Sequence, residues 1–276
     1  MNAIFNSSGE FLKALFAILL RPLSALDPTY ALIFISALFG ILMVFIFGRI
    51  SSQDRIFGVK NRIRGNLLGV RLFRHDLGVV FKLQCVILRD TLRYLTLTGV
   101  PLLLLTVPTV LILGELNLYF GSAPLPVDMA TIVTFKIEDR SGSLPQVSME
   151  ASKGVVVESP PVRAPSRGEI SWRIRAIQSG LETLTFQIGD RELYKEVRTG
   201  KEWVATSSYR TASVLKWLLS PGEALLDDAE GVVLIEVRHP SLKLSMWGYS
   251  LNWLALFLFT SILTGFGFKK SLGVEI

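Results

Sequence analysis

Hydrophobic and polar residues occupy long separate blocks along this chain. Three apolar stretches, residues 29–49, 94–116 and 246–268, each contain about 20 residues. An α-helix rises about 1.5 Å per residue, so about 20 apolar residues cross a hydrocarbon core of about 30 Å. The pattern therefore predicts three transmembrane helices, which place the two ends of the chain on opposite sides of a membrane.

The polar segments between these spans differ in charge. Residues 49–93 contain ten Lys or Arg and three Asp, a net charge of +7, whereas residues 118–245 contain fifteen basic and sixteen acidic residues. Excess Lys and Arg in a short loop marks the cytoplasmic side. We therefore expect an outside N-terminus, a cytoplasmic basic loop, an external long segment and a cytoplasmic tail at 269–276, in the inner membrane of a bacterium.

The basic loop, residues 50–93, has apolar residues at steps of three and four. This spacing predicts two helices that reverse near Arg74-His75-Asp76 and pack as an antiparallel coiled hairpin. The expected contact faces are Ile56, Val59, Ile63, Leu67 and Val70 on the first helix, and Leu77, Val80, Phe81, Cys85, Leu88 and Leu92 on the second.

The remaining faces of this hairpin are basic. They form a candidate cytoplasmic basic surface of Arg55, Lys60, Arg62, Arg64, Arg71, Arg74, Lys82 and Arg89. One interpretation is that these charges enforce topology and contact lipid headgroups. The other is contact with a ribosome or a nascent chain. No aromatic platform or base-reading motif accompanies the charge, so we do not expect sequence-specific nucleic-acid binding.

The segment before the first span, residues 1–28, includes an apolar run at 11–20 that is too short to cross a membrane. Its leucines and phenylalanines recur at helical spacing, which predicts an amphipathic helix in the outer interface. A secretory signal peptide is the alternative. Because no Ala-x-Ala-like cleavage site follows, the sequence favours retention of this segment.

The middles of the three spans contain no ionisable residue, since Arg49, Arg93, Glu115 and Lys269 all lie near span ends. A charge at mid-membrane is costly and usually functional. Its absence argues against a proton pump, an ion-coupled carrier or an intramembrane metalloenzyme.

The spans do carry hydroxyl groups, which form a candidate polar groove: Ser36, Thr98, Thr106, Thr109, Thr260 and Thr264. The alternative role of these residues is helix packing, in which Ser and Thr bond their own backbone. Pro101 and Pro108 each remove a backbone donor, so the second span is expected to be kinked.

The external segment, residues 117–245, changes to short β-rich runs separated by turn residues. The clearest alternation is at 170–176, where every second residue is apolar. About seven strands in such a length predict an immunoglobulin-like sandwich with one helical insert at 211–219. The expected strands are 131–137, 146–150, 154–158, 169–177, 181–188, 192–197 and 232–237. The expected fold is thus an α-helical integral membrane protein that carries an external all-β domain.

Residues for chemistry are scarce. With one cysteine, Cys85, and two histidines, neither a disulfide framework nor a Cys or His metal site is expected. Ser213 and Lys216 have the Ser-x-x-Lys spacing of serine acyl enzymes, but no Ser-Asp-Asn or Lys-Thr-Gly partner exists. We therefore expect no catalytic residue, no metal and no cofactor, and a non-enzymatic protein.

The order of segments resembles the YidC/Oxa insertase superfamily, most closely its three-span branch, which includes the third subunit of the ER membrane protein complex and its archaeal relatives. The resemblance rests on the basic hairpin, on residues 253–268, and on the span 101–114 that runs into Tyr119-Phe120-Gly121-Ser122-Ala123-Pro124-Leu125-Pro126. It covers about half the chain. The sequence departs from the family in having no arginine inside the first span and in carrying the inserted sandwich.

This resemblance implies a non-enzymatic insertase or membrane chaperone that eases hydrophobic segments into the bilayer through a polar groove. Its partners would be membrane lipids, hydrophobic client segments and the ribosome. The alternative is a structural or accessory subunit, whose spans anchor the external domain so that it holds other subunits of a membrane complex.

Overall fold

The computed structural model describes residues 16, 18, 20–138, 144–226 and 231–274. The chain forms two compact units: residues 1–31 with 110–253, and residues 32–109 with 254–276. The predicted interfacial helix of 1–28 lies mostly outside the described residues. Within its described part, Phe16, Ile18 and Leu20 are α-helical as expected, and Arg21–Ala25 forms one short 3-10 helix.

Five α-helices are described from their first residue to their last. They are α1 Pro28–Ile50, α2 Gln53–Leu72, α3 Leu77–Phe120, α4 Val214–Leu219 and α5 Trp253–Phe268. Two of them, α1 with 23 residues and α3 with 44, are long and apolar enough to cross a membrane. Helix α3 joins the second half of the predicted hairpin to the second predicted span, and it continues through both Pro101 and Pro108.

The third predicted span, 246–268, is wrong at its start. Helix α5 has only 16 residues and begins at Trp253. The preceding residues form a β-hairpin, β10 Leu244–Met246 and β11 Tyr249–Leu251. Trp247 and Gly248 both have positive φ and form the turn. Hydropathy alone counted Trp247 as part of an apolar run, although this turn prevents the helix from starting there.

The basic loop forms the expected antiparallel hairpin of α2 and the first half of α3. Arg62 Nε lies 3.5 Å from Asp90 Oδ2, and a Cβ added to Gly69 would lie 3.1 Å from Leu83 Cδ1. In both pairs one residue moves forward along α2 as its partner moves back along α3. The two helices therefore run in opposite directions with a single register.

The predicted contact face is right for much of α2 and wrong for most of α3, where Val80 is half-buried as expected. Ile56 and Val59 are buried, but Leu67 on α2 is exposed. On α3 the expected contact residues Leu77, Phe81, Cys85, Leu88 and Leu92 are exposed. Leu83 and Ile87 are half-buried instead, and Asp90 is buried.

Both halves of α3 bury the same side of the helix. At 3.6 residues per turn, Leu83, Asp90, Thr98, Pro101 and Leu105 share one face of a straight helix. Thr98, Pro101 and Leu105 are buried in the apolar half of α3. Asp90, in the hairpin half, is therefore buried on the same side of α3 as the packed residues of the apolar half.

Helices α1 and α5 pack through small residues. A Cβ added to Gly40 would lie 2.2 Å from the Ser261 carbonyl oxygen and 2.5 Å from Thr264 Oγ1. The rings of Phe39 and Phe257 lie 5.1 Å apart. Such close backbone approach is typical of small residues between membrane helices.

The β-rich segment forms two antiparallel sheets that share one apolar core. The larger sheet has the order β3-β5-β1-β9-β8, with β4 also paired to β5, and the smaller has the order β2-β6-β7. Phe135 and Trp172 of the larger sheet contact Phe186 of the smaller. The strands are β1 Ala130–Ile137, β2 Val147–Ala151, β3 Val155–Val157, β4 Val162–Ala164, β5 Glu169–Ala176, β6 Gly180–Ile188, β7 Arg191–Thr199, β8 Tyr209–Thr211 and β9 Val232–Val237.

All seven predicted strands are present, with ends that differ by no more than two residues. The strands that the sequence did not indicate, β4, β8, β10 and β11, have three residues each. The predicted helical insert begins later than expected, at Val214, because Tyr209–Thr211 pairs with β9. Such short strands carry too few positions to show an alternation.

Candidate functional site

The most distinctive surface is an apolar stripe along α3. With about 100° between successive residues, its members fall within a sector of about 100° and extend for about 44 Å along the helix axis. Leu77 is 81% exposed and Leu88 is 63% exposed. The stripe, as we define it, consists of Leu77, Phe81, Cys85, Leu88, Leu92, Leu95, Leu102 and Thr106, all of which are exposed.

The stripe crosses from the hairpin into the apolar half of α3, where Gly99, within its sector, and Thr96, just outside it, lie between Leu95 and Leu102. Its first members face outward from the hairpin, and its last members face outward from the part of α3 that is apolar enough to lie in a membrane. A soluble protein rarely leaves an apolar surface of this length uncovered. The stripe is therefore one apolar surface that follows both halves of α3.

Basic side chains lie beside this stripe. On a helical projection Lys82 and Arg89 fall about 40–60° beyond one border of the stripe, and both are exposed. The other predicted basic residues lie on α2 or at the hairpin turn: Arg55, Arg62, Arg64, Arg71 and Arg74 are exposed, and Lys60 is half-buried. The structure thus brings two of the eight predicted residues next to the stripe.

Two of these basic residues lie near one buried carboxylate: Arg62 Nε is 3.5 Å from Asp90 Oδ2, and Arg89 Nε is 3.9 Å from Asp90 Oδ1. Arg62 is half-exposed, whereas the Asp90 side chain is 3% exposed. Asp90 occupies a position that an apolar residue takes in most coiled hairpins. A polar group at such a position specifies register at some cost in stability. The pair therefore accounts for the alignment of α2 against α3.

Five of the six predicted groove hydroxyls donate to carbonyl oxygens of their own helices. Thr98 and Thr109 lie on the packed side of α3, whereas Thr106 lies on the exposed stripe. These contacts are what hydroxyl groups make when they pack between helices. The donors and acceptors are Ser36 to Leu32 at 2.6 Å, Thr98 to Tyr94 at 2.9 Å, Thr106 to Leu102 at 3.0 Å, Thr109 to Leu105 at 2.7 Å, and Thr264 to Thr260 at 2.8 Å.

Two of these hydroxyls also approach a second helix. Thr264 Oγ1 lies 3.4 Å from the Ala37 carbonyl oxygen on α1, and Thr109 Oγ1 lies 3.9 Å from Met43 Sδ. Thr260 is half-buried. The six residues therefore do not share one exposed surface.

The β-sandwich contains a buried ion pair that sequence reasoning missed. Lys195 on β7 is fully buried, and its Nζ donates to Glu223 Oε1 at 2.5 Å and to the carbonyl oxygens of Glu196 and Ser207, each at 2.8 Å. Burial lowers the pKa of Lys195, and Glu223 opposes that shift. The available signal was the alternation Leu193, Lys195, Val197, which puts the lysine on the inward face.

This ion pair covers a sheet edge. Strand β7 is the last strand of the smaller sheet. The Glu196 N–H donates to Glu223 Oε2 at 3.1 Å, and Arg210 Nη1 donates to the Tyr194 carbonyl at 2.7 Å. An uncovered edge would offer these groups to another chain. Lys195 and Glu223 therefore have a structural role.

A cavity of about 310 Å³ lies beside β7, lined by Glu115, Tyr119, Glu196, Arg198 and Ser207 among others. Among the described residues, no group of three or more His, Cys, Asp or Glu side chains could hold a metal ion. The cavity mixes both signs of charge, and its lining contains no histidine or cysteine that could act as a nucleophile or base.

His239, two residues after β9, is largely shielded from solvent. Burial and the nearby Lys195 charge lower its pKa from 6.5 to about 4. Its Nδ1 lies 3.1 Å from the Val237 carbonyl oxygen. The imidazole is therefore neutral at physiological pH.

No protein-family model, curated protein or solved structure matches this chain. The assignment of function therefore depends on the surfaces described above.

Proposed function

We propose that this chain is a membrane insertase or membrane chaperone of the YidC/Oxa type, which guides hydrophobic segments into the bilayer without chemical catalysis. In this proposal α1, the apolar half of α3 and α5 lie in a bacterial inner membrane. The hairpin is cytoplasmic, and the sandwich, which we take to be immunoglobulin-like, is external.

The exposed stripe on α3 is the observation that carries the proposal. A hydrophobic segment that leaves water gains about 25 cal/mol for each Å² of apolar surface it buries. Leucine and phenylalanine side chains along the cytoplasmic part of α3 provide such a surface before the segment reaches lipid. Because the same stripe continues into the apolar half of α3, the segment can stay in contact with it during transfer.

The residues beside the stripe suit this role. Lys82 and Arg89 hold positive charge close to the path on the cytoplasmic side, where anionic lipid headgroups attract basic residues. Thr106 places a hydroxyl on the stripe within the apolar half of α3. Its donation to the Leu102 carbonyl at 3.0 Å limits the polarity of the stripe at that point.

Depletion with replacement by variants tests the proposal. Leu88→Asn together with Leu92→Asn makes the middle of the stripe polar, and we expect hydrophobic membrane proteins to fall in abundance when membranes are analysed by quantitative proteomics. The matched control is Leu67→Asn with Leu68→Asn, two exposed leucines on α2. If both variants restore the membrane proteome equally, the stripe has no role in insertion and the proposal is wrong.

A second candidate is a structural or accessory subunit that anchors the sandwich in a larger membrane complex. The hydroxyl contacts and the close Gly40 packing favour it, because they describe helices that pack rather than open a groove. Purification in a gentle detergent separates the two candidates. A stoichiometric partner that binds the chain through the sandwich supports the second candidate, and a lone monomer counts against it.

A further inference from the structure

The β10–β11 hairpin exposes an aromatic tip that folding of the chain does not explain. The strands pair Leu244 with Leu251 and Met246 with Tyr249, which leaves Trp247 and Gly248 as the loop. Trp247 is 88% exposed and Tyr249 is 75% exposed. Large aromatic side chains usually supply buried area, and here they supply almost none.

The backbone of the hairpin tip is also unusual. Trp247 has φ +53 and Gly248 has φ +83. Two-residue hairpin loops with positive φ at both positions strongly prefer Asn or Gly at the first position. A bulky residue there is strained. A strained conformation that exposes a tryptophan points to a function for that side chain.

The hairpin is attached to the first turns of two apolar helices. Thr29, in the first turn of α1, donates from Oγ1 to the Ser245 carbonyl oxygen at 3.4 Å. One residue, Asn252, separates β11 from α5. Chain connectivity therefore keeps Tyr249 within about 14 Å of the start of α5.

Helix α5 is itself short for a membrane span. Its 16 residues rise about 24 Å, against a hydrocarbon core of about 30 Å. Such a helix needs anchoring residues at its ends, and Trp and Tyr are the residues enriched where membrane meets water. Trp253 at its first position and the hairpin tip just before it match that need.

We infer that Trp247 and Tyr249 insert into the lipid headgroup region of the outer leaflet and fix the depth of α5. The exposed Lys243, one residue before β10, adds a positive charge that suits lipid phosphates. The inference rests on the proposed membrane location of α1 and α5. The partner is the lipid surface itself, not a second protein.

Fluorescence quenching in vesicles of phosphatidylcholine and phosphatidylglycerol tests the inference on the full chain. The difference in emission between the parent and Trp247→Phe isolates the Trp247 signal. We expect that signal to be quenched by lipids brominated near the headgroup, less by lipids brominated near the chain ends, and little by aqueous iodide. Trp172→Phe is the control, because Trp172 is 3% exposed in the sandwich core and should respond to neither quencher.

Other results overturn the inference. Quenching by iodide but not by brominated lipid would place Trp247 in water, and protection from both quenchers would place it against protein. Extraction of the same vesicles with alkaline carbonate separates this failure from failure of the proposed function. A chain that stays in the membrane while Trp247 is iodide-accessible refutes only the lipid anchor, whereas a chain that is extracted refutes the membrane location as well.

Discussion

Two branched aliphatic residues of the hairpin, Ile56 on α2 and Leu88 on α3, are expected to respond very differently to truncation to alanine. The Ile56 side chain is fully buried, and Leu88 is 63% exposed. Removing a buried Ile side chain costs about 2–5 kcal/mol, because contacts are lost and a cavity is left. Full burial of a Leu stabilises by about 1.5–3 kcal/mol, so the remaining third of contact at Leu88 contributes at most about 1 kcal/mol.

Hydrogen exchange of the purified full chain, read by mass spectrometry on peptides from α2 and the first half of α3, measures this difference. Since about 1.4 kcal/mol changes an equilibrium tenfold, Ile56→Ala should raise the opening equilibrium by roughly 30-fold or more. Leu88→Ala should raise it by about fivefold at most. The exposed Leu68 on α2 provides a control, and Leu68→Ala should behave like Leu88→Ala.

The result that would refute this reasoning is equal loss of protection in Ile56→Ala and Leu88→Ala. Leu88 would then lie between the two helices of the hairpin, as the spacing of apolar residues alone suggests. The stripe would not be exposed, and its proposed use by hydrophobic segments would lose its basis.

Three further predictions concern packing and charge. Glu223→Gln should lower the free energy of unfolding of the sandwich by about 3–5 kcal/mol, because it leaves Lys195 buried without a counter-ion. In denaturant titrations, the double variant with Lys195→Met should recover most of that loss. His239 has a pKa of about 4 in the folded chain against 6.5 in the unfolded chain, so the free energy of unfolding should rise by about 3 kcal/mol from pH 4 to 6.5 and then stay level. His239→Gln should flatten this pH profile. An unchanged profile in the variant would exclude His239 as its cause. Gly40→Ala should destabilise the α1–α5 contact by about 1–3 kcal/mol in thermal unfolding. Gly99→Ala is the control and should not destabilise the chain, because a Cβ added to Gly99 meets nothing within 4 Å. Equal effects of the two substitutions would contradict the close packing at Gly40.

The strand positions could be read from the sequence because each strand shows its own alternation. In β5, Ile170, Trp172, Ile174 and Ala176 are buried and the residues between them are not. The order of strands across the sheets could not be read in this way. It depends on pairing between distant segments, such as β1 with β9, and alternation does not identify the partner.

The orientation of α3 shows a different limit of sequence reasoning. Treated as two separate helices, each half offers its own apolar face, and the hairpin half offers Leu77, Phe81 and Leu88. In the structure the two halves are one helix, and the buried positions of both halves lie on the same side of it. The sequence contains a signal for this side of the helix. Leu83, Ile87, Asp90 and Thr98 follow one another at helical spacing and therefore lie on one side of α3.

The candidate groove was predicted from hydroxyl-bearing residue types and their angular positions on each helix. These two properties identified which residues share a face, but not what that face contacts. Thr98 and Thr109 were expected on one face of their helix, and both lie on its packed side. Angle alone does not say whether a face meets lipid, water or another helix. Spacing alone does not reveal the exposed stripe, because five of its members are also the apolar residues expected at the hairpin contact: Leu77, Phe81, Cys85, Leu88 and Leu92.

Crosslinking from Cys85 tests the central claim most directly, because the only cysteine of the chain lies on the stripe and is exposed. Cys85 would carry a photoactivatable maleimide, and a client with one apolar helix would be held on the ribosome beside membranes that contain the labelled protein. The control has Cys85→Ser with Asn61→Cys, an exposed position on α2. We predict an adduct between client and protein from position 85, none from position 61, and loss of the adduct when a polar segment replaces the apolar helix. Equal crosslinking from both positions, or crosslinking that ignores the hydrophobicity of the client, would contradict the proposal that the stripe guides hydrophobic segments.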